Sequence, residues 1–169
     1  YEKDPERYLL LQQFKNPANP TIHETTTGPE IWRDTNGKFD ILVAGVGTGG
    51  TISGIGRRLK EANESIEIIC IDFDEWPGVE GLKPLSEGHI IPETFDKSVV
   101  DRMLRIDVLE GYKVSQLMAR RGLFAGQSSG AYLLGAKILA EETKSGHIVT
   151  IYNAIEAVSY THLSCLRAI

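Results

Sequence analysis

The stretch Gly45-Val46-Gly47-Thr48-Gly49-Gly50-Thr51 decides how the rest of the chain is read. It follows the apolar run Ile41-Leu42-Val43-Ala44 and leads into Ile52, Ile55 and Leu59, three apolar residues at helical spacing. The pattern is a buried strand, a glycine loop and a helix. The first N–H groups of a helix have no intrahelical partner, and they sit at the positive end of the helix dipole. Such a loop suits a phosphate, and glycine lets the backbone come close to it. Thr48 and Thr51 add hydroxyl donors.

Two functional readings share this loop. Gly45, Gly47 and Gly50 satisfy G-x-G-x-x-G, and Asp72 ends the next apolar run, residues 66–71, where a ribose-binding acid of a dinucleotide site belongs. The other reading is a cup for one phosphate, with Gly47, Thr48, Gly49, Gly50 and Thr51 around it. A plain strand-to-helix turn is the bland third. Four glycines and two threonines in seven residues are more than a turn requires.

Outward from the loop, apolar and helical patterns alternate. The patterns predict a helix from the loop to about Asn63, then a strand over 66–71. Residues 73–92 are irregular, with Pro77-Gly78, Gly81, Pro84 and Gly88; a loop of that length inside a domain is usually functional or mobile. A strand over 103–106 and a helix over 108–120 follow. Residues 122–126 read as a short buried strand, and Gln127-Ser128-Ser129-Gly130-Ala131 opens a helix to about Thr143. Residues 147–151 are a further strand. On the N-terminal side, residues 8–14 read as a strand, and Asn16-Pro17-Ala18-Asn19-Pro20 as a turn outside regular structure. Thr27-Gly28-Pro29 opens a helix that Asn36-Gly37 ends. His23 reads as a structural histidine. Strand alternating with helix predicts an α/β fold: a three-layer parallel sheet with helices on both faces. Ligands of such sheets bind beyond the carboxyl ends of the strands. The glycine loop and Ser128-Ser129 both lie at such ends, which makes them candidates for one site.

The 169 residues carry a net charge of −5 and no basic patch beyond Arg57-Arg58 and Arg120-Arg121, which argues against a nucleic-acid partner. No apolar run is long enough to span a bilayer. Cys70 and Cys165 form neither a disulfide framework nor a zinc spacing, so a reducing, cytoplasmic setting fits. Cys70 reads as a small core residue. His162 and Cys165 are too few for a metal site.

Three blocks together resemble the cysteine synthase family, the fold-type-II enzymes that use pyridoxal 5′-phosphate. They are residues 10–20 (LLQQFKNPANP), residues 26–32 (TTGPEIW) and residues 44–51 (AGVGTGGT). Val79-Glu80-Gly81-Leu82, Ile91-Pro92 and Gly126-Gln127-Ser128-Ser129-Gly130-Ala131 support them. The resemblance covers residues 1 to about 151 and corresponds to the later half of a longer chain.

The resemblance implies the phosphate cup: Gly47, Thr48, Gly49, Gly50 and Thr51 would bind the cofactor phosphate. Ser128 would face the pyridine nitrogen, with Ser129 the adjacent fallback. Gln13 would lie near the substrate carboxylate, and Gly81 would let the irregular loop approach the substrate. A hydroxyl at the pyridine nitrogen makes a weaker electron sink than a carboxylate, which suits β-replacement over transamination. The reaction implied is replacement of acetate in O-acetylserine by sulfide, giving cysteine. Cystathionine β-synthase shares these motifs and is the alternative within the family; a dinucleotide-dependent oxidoreductase is the alternative outside it. Family habits also imply a homodimer when full length, with serine acetyltransferase a possible docking partner at a cleft of which half is missing here.

Two departures set further expectations. The family's cofactor-anchoring lysine lies in an earlier segment that this sequence lacks, as does its Ser/Thr-Gly-Asn loop. Lys3, Lys15, Lys38 and Lys83 do not match that position, so no catalytic residue is assigned. The expected organisation is a junction remnant over 1–20, a phosphate-binding α/β domain over 21–151 and an unrelated or frame-shifted tail over 152–169. The chain alone is expected to be inactive.

Overall fold

Strand β1, Ile41–Gly45, is buried along its whole length. Successive side chains point to opposite faces. Ile41 and Val43 join one core with Ile69 and Ile71, while Leu42 and Ala44 join a second with Ile68 and Cys70. Both faces of the sheet are therefore covered, which is why this strand reads as a continuous apolar run rather than an alternating one. The computed structural model describes residues 3–4, 6–86, 88–143 and 145–153. The tail reading, with His162 and Cys165, lies outside these residues apart from 152 and 153.

Four strands form one parallel sheet in the order β3-β2-β1-β4: β2 is Glu67–Asp72, β3 Arg102–Arg105 and β4 Ile148–Thr150. On one face lie α2, Gly28–Asp34, and α3, Gly50–Ala62; Ile52, Ile55 and Leu59 of α3 are fully buried there beside Ile31 and Trp32. On the other lie α4, Val108–Arg120, and α5, Gln127–Thr143. Asp107 caps α4, accepting from the Leu109 and Glu110 amides. The three-layer parallel α/β fold agrees with the sequence reading, and so do the spans of α4 and α5.

Four local expectations are corrected. Residues 8–14 form no strand: Tyr8, Leu9, Leu10 and Leu11 are exposed. They have no sheet neighbour, and the chain turns at Gln12 (φ +54°), whose carbonyl accepts from the Lys15 and Asn16 amides at 2.8 Å. The Asn16–Pro20 motif does enter regular structure, since α1 spans Ala18–Ile22. Pro17 precedes this helix and Pro20 sits in its first turn, where no backbone donor is needed. A π-helical turn, His23–Thr27, continues from α1 into α2, so Gly28-Pro29 prolongs a helical run instead of opening one. Fourth, residues 122–126 are a loop with Leu123 and Phe124 exposed. Gly122 (φ +84°) ends α4, with its amide and that of Leu123 bonding back to Ala119 and Met118.

Candidate anion site at the carboxyl edge of the sheet

The glycine loop leaves β1 and turns into α3 at Gly49, which takes a left-handed φ of +84°. Alanine there would place its Cβ 2.5 Å from Phe95 Cβ. The first bond into α3 runs from the Ser53 amide to the Gly49 carbonyl at 3.1 Å. The Thr51 and Ile52 amides therefore precede the intrahelical ladder.

These elements open onto a cavity of about 160 Å³ lined by Ala44, Gly45, Gly47, Thr48, Gly49, Thr51, Gly81, Leu82, Tyr132, Ile151 and Asn153. None of the lining side chains is charged. Hydroxyls, amides and a helix N-terminus, with no carboxylate opposing them, make a donor set fit for an anion.

Gly47, Thr48, Gly49, Thr51 and Gly81 thus share one cavity. Gly50 lies directly behind it, and any Cβ there would collide with the Asn19 side chain. Asn19 Nδ2 donates to Thr48 Oγ1 at 2.9 Å and to the Gln13 carbonyl at 2.8 Å. Thr94 Oγ1 donates to the Thr48 carbonyl at 2.6 Å. Gln13 itself is exposed and does not line the cavity; it reaches the loop through Asn19. Thr51 Oγ1 lies 3.2 Å from His23 Nε2, and His23 Nδ1 lies 2.9 Å from Thr27 Oγ1. Partial burial lowers the His23 pKa from its ordinary value, which favours the neutral ring.

Gly81 (φ +84°) has no atom within 4 Å of a built Cβ, so its glycine answers to backbone conformation and not to space. Its carbonyl lies 2.5 Å from a Cβ placed on Gly47, so the 73–92 loop closes over the glycine loop. The Lys83 amide donates to the Val46 carbonyl at 2.7 Å and fixes that closure.

Ser128 and Ser129 are buried at the start of α5. Ser128 Oγ donates to Asn153 Oδ1 at 3.0 Å, and the Asn153 amide donates to Ser129 Oγ at 3.1 Å. Asn153 lines the cavity, and this bond joins Ser128 to it. Tyr132, one turn further along α5, is buried; burial raises its phenol pKa and keeps the hydroxyl protonated. Asp72 stays at its strand end off the cavity, with Oδ2 3.5 Å from Arg105 Nη1.

Asn19, Tyr132 and Asn153 were not singled out from the sequence. Tyr132 had a signal: it lies four residues after Ser128, on the same helix face. Asn153 follows the last strand at the carboxyl edge, where ligand-facing residues collect. Among the described residues no group of three or more His, Cys, Asp or Glu is placed to hold a metal.

The family described as "Pyridoxal-phosphate dependent enzyme" matches residues 1–153. A cysteine synthase of Haemophilus influenzae is 43% identical over 153 residues, covering 82% of this chain and 48% of that protein. A cystathionine beta-synthase of Apis mellifera is 37% identical, covering 83% of this chain and 30% of that protein. The crystal structure of O-acetyl serine sulfhydrylase isoform 3 from Entamoeba histolytica superimposes with a TM-score of 0.85 at 28% identity, over 99% of this chain and 52% of that one. The chain spans about half the length of the cysteine synthases it matches.

Proposed function

The chain belongs to the pyridoxal-phosphate dependent enzyme family, within its cysteine synthase group, and from this premise we propose that it forms the phosphate-holding part of a cysteine synthase active site. The observation that carries this reading is the uncharged, donor-lined cavity at the start of α3. Gly47, Thr48, Gly49, Gly50 and Thr51 hold the cofactor phosphate through backbone amides and two hydroxyls. A Cβ on Gly47 or Gly49 would intrude on a neighbouring segment, so the loop keeps its shape only with glycine there.

Bound in this cavity, pyridoxal 5′-phosphate supplies an electron sink for replacing acetate by sulfide on O-acetylserine. Ser128, through Asn153, presents neutral hydrogen-bonding groups on the α5 side of the cavity. Neutral groups there do not stabilise a charged ring nitrogen, which favours β-replacement over transamination. Gly81 lets the 73–92 loop lie along the substrate side, and Gln13 is assigned to the substrate carboxylate. No lysine lines the cavity among the described residues, so this chain alone offers no amine to anchor the cofactor. Cysteine formation requires a lysine from elsewhere, and the 169-residue chain by itself is inactive. The assembled enzyme is assigned as a cytoplasmic homodimer able to dock a serine acetyltransferase, on the family resemblance.

The dinucleotide reading is set aside. Family membership argues against it, and Asp72, the acid it requires, lies off the cavity beside Arg105. Tryptophan fluorescence of the chain titrated with pyridoxal 5′-phosphate, and separately with NAD, tests the proposal. Saturable uptake of pyridoxal 5′-phosphate is expected. Saturable NAD uptake without it would overturn the assignment.

A further inference from the structure

Thr51 lines the candidate anion cavity, and its hydroxyl has only one proton. Its use depends on where that proton points. If Thr51 donates to His23 Nε2, its lone pairs face the cavity and oppose an anion. If His23 Nε2–H donates to Thr51, the threonine proton is left to the cavity.

The neighbouring threonines indicate which arrangement holds. Thr25 and Thr26 donate to the carbonyls four residues back, Thr21 at 2.9 Å and Ile22 at 2.6 Å. For Thr27 the corresponding carbonyl is that of His23, which already accepts from the Gly28 amide in the π-helical turn. Thr27 Oγ1 instead lies 2.9 Å from His23 Nδ1. If Thr27 donates as its neighbours do, Nδ1 accepts and the neutral ring carries its own proton on Nε2. The chain of donors then runs in one direction, from Thr27 to His23 and from His23 to Thr51.

The backbone is shaped for this contact. The single π-helical turn of the 18–34 run is the one that begins with His23. Gly54 of α3 faces it: a Cβ there would lie 2.8 Å from His23 Cβ and would strike the Pro20 carbonyl. The glycine thus permits a close crossing of the two helical segments, and the crossing brings the imidazole to Thr51. π-Helical turns inside helices recur at functional sites.

We infer that His23 is a positioning residue of the anion site, whose Nε2–H donates to Thr51 Oγ1 and so directs the threonine proton at the cofactor phosphate. This rests on the phosphate-cup reading above. His23 does not line the cavity and acts through Thr51.

The test has two arms. The first uses imidazole ¹⁵N NMR of the 169-residue chain at neutral pH without ligand. The Nε2–H tautomer is expected, with the Nε2 resonance shifted by Thr51→Val and the Nδ1 resonance by Thr27→Val. A Nδ1–H tautomer, or an Nε2 resonance indifferent to Thr51→Val, overturns the inference. The second arm compares equilibrium binding of pyridoxal 5′-phosphate with that of pyridoxal, which lacks the phosphate. His23→Ala is expected to weaken pyridoxal 5′-phosphate about 5- to 20-fold, the scale of one lost oriented hydrogen bond, and to leave pyridoxal unchanged. His23→Gln, whose amide N–H can replace Nε2–H, is expected to restore most of the loss. In a Thr51→Val background His23→Ala is expected to add almost nothing. Equal weakening of both ligands, or no rescue by glutamine, overturns the inference in favour of a merely structural histidine. If the unmutated chain takes up no pyridoxal 5′-phosphate, the phosphate-cup reading fails, and the tautomer arm alone decides the His23–Thr51 link.

Discussion

Asn19 Nδ2 donates to Thr48 Oγ1 across 2.9 Å, joining residues 29 positions apart. The Gly50 amide also donates to that oxygen, at 3.3 Å. With both acceptor positions used, the Thr48 proton is free for a third partner, and the cavity is where it can go. The hydroxyl is thereby prepared as a donor before any ligand arrives.

Asn19→Ala removes one of those two donors and the link to the Gln13 carbonyl. The expected cost to folding is about 1 kcal/mol, the scale of a net hydrogen bond. Asn19→Asp should bind pyridoxal 5′-phosphate more weakly than Asn19→Ala, because a carboxylate cannot donate to Thr48 and brings negative charge to an anion site. Calorimetric titration of both variants checks this order; tighter binding by the aspartate variant would refute it.

Gly49 and Gly81 share the same φ of +84° but differ in surroundings. Alanine at Gly81 meets only backbone strain, about 1 kcal/mol. Alanine at Gly49 adds a 2.5 Å clash with Phe95 in the turn that starts α3. Gly49→Ala should therefore lower the urea midpoint clearly more than Gly81→Ala. Equal midpoints would show that the turn relaxes freely.

Acid should weaken the fold in a window that His23 controls. Its folded pKa lies below the ordinary 6.5, so below that pH the unfolded chain binds more protons than the native one. Stability contributed by the neutral ring is full above about pH 6.5 and falls as pH drops towards the folded value. Urea midpoints between pH 7.5 and 5 should decline for the unmutated chain and decline less for His23→Gln. Parallel declines would assign the effect to other groups.

Cys70 is fully buried in the α3-side core, and burial pushes its thiol pKa up to about 12. The thiolate is the reactive form, so Cys70 should resist thiol reagents at pH 8 until the chain unfolds. A Cys165→Ser variant isolates the signal. Labelling of that variant at a free-thiol rate in native buffer would mean that the core opens readily.

Much of this architecture was present in local pattern. The apolar runs at 41–44 and 66–71, the glycine loop between them and the helical spacing of Ile52, Ile55 and Leu59 identified a parallel α/β sheet with a site at its carboxyl edge. The spans of α4 and α5 were readable for the same reason: caps, periodicity and a following glycine act within a few residues. The cup residues were legible as candidates because glycines and threonines at a helix start carry their chemistry in the backbone.

What local pattern did not decide depends on partners distant in the chain. Residues 8–14 have strand-like composition, yet a strand exists only where a neighbour pairs with it, and these residues have none. Residues 16–29 look broken by three prolines, yet their packing on α3 gathers them into one helical run, with Pro17 and Pro20 at its start where no backbone donor is needed. Ser128 reads as a ligand-facing hydroxyl, and only the packing brings Asn153 from beyond β4 to accept from it at the cavity wall. The roles of His23 and Asn19 likewise emerge only when α3 crosses the 18–34 run. Nearest-neighbour chemistry set the kind of fold and the position of its candidate anion loop; long-range packing chose the side chains that support the loop, because hydrogen-bond direction depends on which donors meet in space.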